Sequence, residues 1–134
     1  MTDDSGTAPW EVVTLSVPAR RHFIAGVRSL TTAVAAQYGL TVDAIEDLQM
    51  AVDEACALLL PQASGDSAQL ETHFDLEERR LRVEVSVAAA EGAEPDREGL
   101  SWTVLSAVAD GLEVARVGER LCISFAKRRE VMAR

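Results

Sequence analysis

The main concentration of potential chemistry in this 134-residue sequence is a pair of adjacent carboxylates, Asp53 and Glu54. They lie in a segment whose apolar residues recur at helical spacing, and Glu54 falls roughly 140° away from the apolar stripe. A carboxylate in such a place can act as a general base, or it can be a solvated helix residue. The residues alone leave both interpretations open.

The other reactive side chains form no site in the sequence. The two histidines, His22 and His73, are far apart, and we interpret each as a surface or structural residue. The two cysteines, Cys56 and Cys122, have neither the number nor the spacing of a disulfide scaffold or a zinc site, so we expect both to be buried apolar residues. The sequence also has no phosphate-binding-loop or metalloprotease pattern.

Two helices must position the carboxylate pair. A strand over 12–17 alternates apolar and polar residues and stops at Pro18, whose fixed backbone angle suits the first turn of a helix. Gly39 is placed to end that helix in the left-handed conformation. Thr41 then caps a second amphipathic helix over 42–60, which carries both carboxylates.

The rest of the chain predicts mainly strands. Alternating residues indicate a hairpin over 70–76 and 81–87, followed by a long loop over 88–98. Ser101 can cap a short helix, and a last hairpin follows over 112–125. The element order favours an α+β fold: a two-layer α/β sandwich whose mixed or antiparallel sheet is covered by helices on one face.

The composition of the chain limits the functions that are possible for it. The net charge of -9 makes the far field repulsive to phosphate backbones and anionic lipid, so we expect no direct binding of nucleic acid or membrane. We divide the chain into a disordered N-terminal tail (1–9), a single domain (10–127) and a basic C-terminal tail (128–134). A cytoplasmic location is expected, because the sequence has neither a signal-peptide pattern nor a membrane-spanning apolar run.

Two segments carry a resemblance to a known family. Residues 45–56 read IEDLQMAVDEAC and resemble the N-box helix of the RsbW/SpoIIAB-type anti-sigma factors, serine kinases with the GHKL (Bergerat, histidine-kinase-like ATPase) fold. Residues 99–114 read GLSWTVLSAVADGLEV and are similar to that family's second glycine box with the helix and strand after it, most of all in its divergent actinobacterial branch. The resemblance extends over about 12–125.

The resemblance also implies a nucleotide site, from which this sequence departs. Glu54 matches the catalytic base, but Leu58 stands where the family has the Asn that binds Mg²⁺, and an aliphatic side chain cannot ligate a hard cation. Alanines at 88–90 replace the adenine-reading Asp and a glycine. In the second glycine box Gly99 remains, and Ser101 replaces the next glycine. Glu54 is therefore interpreted as vestigial, and neither bound metal nor ATP is expected.

The resemblance implies an anti-sigma factor that sequesters a sigma-B/F-type sigma factor and is released by a STAS-domain anti-anti-sigma partner. It also implies a homodimer and places the partner surface near the first helix, where Arg20, Arg21 and Arg28 are candidate contacts or merely solvated. One alternative is an active serine kinase that phosphorylates the STAS partner with Mg-ATP. Another is an unrelated α/β interaction module.

Overall fold

A five-stranded sheet forms one layer of the molecule. The computed structural model describes residues 11–130. The strands are β1 (Glu11–Pro18), β2 (Gln69–Leu76), β3 (Arg80–Ala88), β4 (Asp110–Val117) and β5 (Arg120–Arg128). Their spatial order is β1-β2-β3-β5-β4, and every neighbouring pair is antiparallel. The sheet is therefore antiparallel throughout and not mixed.

The joint between the first two helices explains part of this topology. Helix α1 (Ile24–Tyr38) ends at Gly39, whose φ of 96° is left-handed, and α2 (Val42–Leu59) follows at once. The side chain of Thr41 caps α2 by accepting a hydrogen bond from the N–H of Ala44. Both end signals are confirmed. Because α1 runs out and α2 runs back, the chain returns to the end of the sheet that it left, and β2 runs antiparallel to β1.

The core lies between the sheet and the helices. Most inward side chains of β2, β3 and β5 are buried and apolar, and Thr72 is a buried polar residue among them, while the outward ones include charged residues such as Asp75, Arg82 and Glu84. Helix α2 contacts β3, β5 and both other helices, including α3 (Leu100–Val108). The predicted α+β, two-layer architecture is confirmed. None of the helices described is long and apolar enough to cross a membrane.

Two predicted helix starts were wrong. Pro18 is the last residue of β1 and pairs with Gln69, so α1 begins only at Ile24, after a short 3-10 turn. Ser101 does not cap α3, because that helix starts at Leu100, one residue before Ser101, and Gly99 is its N-cap. Strand β5 extends through Arg128, into the predicted basic tail. The predicted N-terminal tail and residues 131–134 lie outside the described residues.

Tyr38 provides a test of how the end of α1 is fixed to the sheet. Its hydroxyl donates to the Glu77 carbonyl at 2.5 Å, and the Arg129 guanidinium lies 3.9 Å from its ring centroid. Tyr38→Phe keeps the ring and leaves that carbonyl unpaired, so we expect the free energy of unfolding to fall by about 1 kcal/mol. Urea denaturation measures the change, and an unaltered midpoint would show that the hydrogen bond contributes nothing.

Candidate functional site

Asp53 and Glu54 point to different sides of α2. Consecutive helical residues are separated by about 100°. Asp53 faces α1, where it contacts Arg28. Glu54 lies on the side next to α3 and is half-buried, and no hydrogen bond or ion pair is formed by its carboxylate with residues 11–130. The two carboxylates therefore do not form a joint acid–base pair.

Leu58 is part of the core. Its position one turn after Glu54 is close to the same side of α2, but only 6% of its surface is exposed. Helix α3 packs against α2, and the helical spacing puts Leu58 on a side of α2 away from Asp53 and α1. An aliphatic side chain held in the core offers no oxygen to Mg²⁺.

The stretch 88–90, where the family has its adenine-reading Asp, is held by hydrogen bonds to other parts of the chain. Arg116 donates to the carbonyls of Ala89 and Ala90 at 2.7 and 2.8 Å. The Ala89 N–H donates to the Glu119 carbonyl, and the Ala88 carbonyl accepts from Ser64. The stretch has no carboxylate that could recognise an adenine amino group.

The local structure explains why residue 99 is a glycine. A Cβ at this position would lie 3.1 Å from Asp96 Oδ2, and the other oxygen of Asp96 accepts a hydrogen bond from the Glu98 N–H. The glycine therefore accommodates a tight turn before α3, and no phosphate is needed to explain it. Ser101 is half-buried in the first turn of α3.

These residues do not fit a magnesium–nucleotide complex. Glu54 is the only member of the predicted site that carries a carboxylate, and the three clefts described for residues 11–130 are lined by other residues. Within the same range, no group of three or more His, Cys, Asp or Glu residues could hold a metal ion. We derive no phosphotransfer step for this site.

The cysteines offer no nucleophile either. Both are buried, as predicted. Burial raises the pKa of Cys56 to about 12 and the pKa of Cys122 to about 11. Both thiols are therefore protonated at neutral pH, whereas thiol chemistry requires the thiolate.

The largest of the three clefts described for residues 11–130 lies between the start of α1 and the end of α2. It has a volume of about 670 Å³ and combines small and apolar residues with four polar ones: Ala19, Arg21, His22, Ile24, Ala25, Arg28, Asp53, Ala57, Leu60 and Pro61. Two of the arginines predicted to meet a partner, Arg21 and Arg28, thus belong to a concave surface, and Arg20 is exposed beside it. No pattern in the sequence indicated that Asp53 would join them.

Arg28 is neither free nor simply solvated. Its Nη2 lies 2.8 Å from Asp53 Oδ2, and its Nε donates to Asp53 Oδ1 at 3.1 Å. The hydrogen bond and charge of Asp53 raise the pKa of this guanidinium. Arg20 and Arg21 have no carboxylate within 4.0 Å among the described residues. The three arginines therefore differ in how readily each could meet a partner.

Comparison with known proteins identifies the class to which this fold belongs. A family model described as the histidine kinase-like ATPase domain matches residues 17–127, so the chain belongs to that family. Serine-protein kinase RsbW of Halalkalibacterium halodurans is 33% identical over 76 residues, which cover 57% of this chain and 47% of the relative. Anti-sigma-F factor RsbW of Mycobacterium tuberculosis is 34% identical over 108 residues, 81% of this chain and 64% of the relative.

The family resemblance predicted from the sequence is confirmed by these matches. Serine-protein kinase RsbW of Bacillus cereus is also similar, at 31% identity over 78 residues, 49% of its length. The alignments therefore span between about half and just under two thirds of the curated relatives.

Leu58→Asn tests whether the metal ligand could simply be restored. Because Leu58 is buried, we expect this substitution to lower the free energy of unfolding by about 3 kcal/mol, through lost apolar burial and an amide that lacks partners. Leu58→Met is the matched control and should cost less than about 1.5 kcal/mol. Denaturant melts of both variants measure the difference, and equal stability would mean that this side of α2 is open to solvent.

Proposed function

We propose that this chain is an anti-sigma factor that binds a sigma-B/F-type sigma factor and withholds it from RNA polymerase. The observation that carries the proposal is the alignment with a relative named Anti-sigma-F factor over 81% of this chain. Neither Leu58 nor the alanines at 88–90 line the arginine-containing cleft between α1 and α2. Loss of nucleotide chemistry therefore leaves a protein-binding surface intact.

Inhibition by sequestration requires surface complementarity and no bond-breaking step. The cleft offers apolar side chains such as Ile24 and Leu60, beside the guanidinium of Arg21. On the exposed side of α2, Asp43 and Glu46 add negative charge that favours encounter with the basic DNA-binding surfaces of a sigma factor. Such steering makes association faster at low salt and slower at high salt.

Release by a competing STAS-domain anti-anti-sigma protein completes the proposed switch. The alternative is an active serine kinase that phosphorylates this STAS partner, with Mg-ATP as its cofactor. Its support is the retained Glu54 and the kinase names of two relatives. Without an oxygen ligand at Leu58, the metal that neutralises the transferring phosphoryl group would lack its protein ligand on α2. Sequestration is therefore the favoured function, and it places the protein in the cytoplasm with RNA polymerase.

Sigma-directed transcription in vitro without added ATP tests this function. The sigma factor is identified by mass spectrometry of what copurifies with the native protein. We expect Glu54→Gln to inhibit like the wild type, because the resemblance assigns that residue to phosphotransfer alone and the assay contains no ATP. Arg21→Glu should require about tenfold more protein for half-inhibition, because it reverses the charge of the cleft at a cost of about 1.4 kcal/mol.

The matched control is Arg97→Glu, which reverses an exposed arginine on the loop before α3. It should inhibit like the wild type. If Glu54→Gln lost inhibition while Arg21→Glu remained fully inhibitory, the result would contradict this proposal. It would mean that inhibition depends on the altered nucleotide site and not on the cleft.

A homodimer is a second part of the proposal. The strands at the two edges of the sheet, β1 and β4, expose Val12 and Val117 at 55% and 65% of their surface. Exposed strand edges tend to pair with another chain unless charge or a bulge prevents it. Light scattering at tens of micromolar should therefore give twice the monomer mass, and Val12→Lys should shift the protein towards monomer. A wild-type protein that remains monomeric would refute the dimer.

A further inference from the structure

The bidentate ion pair across the largest cleft joins two residues with different expected roles. Arg28 is on α1 and is a candidate partner contact, whereas Asp53 is on α2 and belongs to the protein's own scaffold. Their side chains are 52% and 26% exposed, so the pair lies at the rim of the cleft, within reach of a bound molecule. Two N–H groups of the Arg28 guanidinium are thus already bonded to a carboxylate of the same protein.

The surroundings of the pair match a ligand of the same chemistry as Asp53. Ile24, Leu60 and Pro61 provide apolar surface, and Arg21 adds a second guanidinium to the lining. A polypeptide segment that presents a carboxylate next to apolar side chains would satisfy both parts of this cleft. Guanidinium groups bind carboxylates in the same two-bond geometry that Arg28 now makes with Asp53.

We propose that Asp53 is an internal competitor for Arg28, which an acidic segment of the sigma factor must displace when it enters the cleft between α1 and α2. The inference rests on the proposed function and specifies the chemistry of its partner. Displacement is feasible because an ion pair this exposed is worth little in water. Asp53 therefore lowers the affinity of the cleft for the sigma factor. It also disfavours partners that lack a carboxylate to take its place.

Asp53→Asn tests the competition directly. The probe is the purified sigma factor that copurifies with the native protein, and its dissociation constant is measured by fluorescence anisotropy. Removing the charge of Asp53 should tighten binding about two- to fivefold, because Arg28 no longer has to leave a charged partner. Asp47→Asn is the matched control. It makes the same charge change on α2 and breaks a comparable ion pair, with Lys127 at 3.0 Å, but it lies away from the cleft.

A double-mutant cycle separates competition from a general change in charge. In the Arg28→Gln background, which should itself bind less tightly than the wild type, Asp53→Asn should no longer tighten binding. Thermal melts of each variant establish that it is folded. Weaker binding by Asp53→Asn, or an equal effect of Asp47→Asn, would overturn the inference, since the first outcome makes Asp53 itself a partner contact. Failure of the wild-type protein to bind any sigma factor would instead refute the proposed function.

Discussion

The packing of α2 on three sides is the constraint on which the rest of the structure depends. One side meets the sheet through buried residues such as Leu48 and Val52, a second meets α1 and a third meets α3. Because successive residues turn by about 100°, Asp53 and Glu54 are assigned to different neighbours. This division separates the cleft at α1 from the side of α2 that carries Glu54 and Leu58.

Burial of Leu58 gives a structural reason for a leucine where the resemblance implies the Asn that binds Mg²⁺. A fully buried leucine contributes about 1.5–3 kcal/mol relative to an exposed one, and Leu58 makes this contribution where an oxygen ligand would be needed for a metal. Arg116 similarly ties the stretch that lacks the adenine-reading Asp into the body of the protein. At both positions the residues present make contacts within the protein, where the resemblance implies contacts to a nucleotide or its metal.

Local signals predicted the elements of this fold well, and contacts between distant elements were not predictable from them. Gly39 and Thr41 encode the helix joint within a few residues, and strand alternation placed the hairpins. The Arg28–Asp53 pair joins residues on different helices, so it depends on how α1 and α2 align. The burial of Leu58 depends on packing from outside α2, and periodicity within α2 alone placed this residue near Glu54, away from the apolar stripe. Ser101 was predicted as the cap of α3 because serine commonly caps helices. The turn at Asp96 that precedes the helix has no periodic pattern that would have corrected this prediction.

Isothermal titration of the purified protein with Mg-ATP tests the central claim most directly: this member of the ATPase-fold family works through its surface and not through a nucleotide. The account predicts no saturable heat up to millimolar nucleotide, because Leu58 and the alanines at 88–90 supply none of the metal and adenine contacts. A micromolar dissociation constant would contradict the account and restore the serine-kinase function.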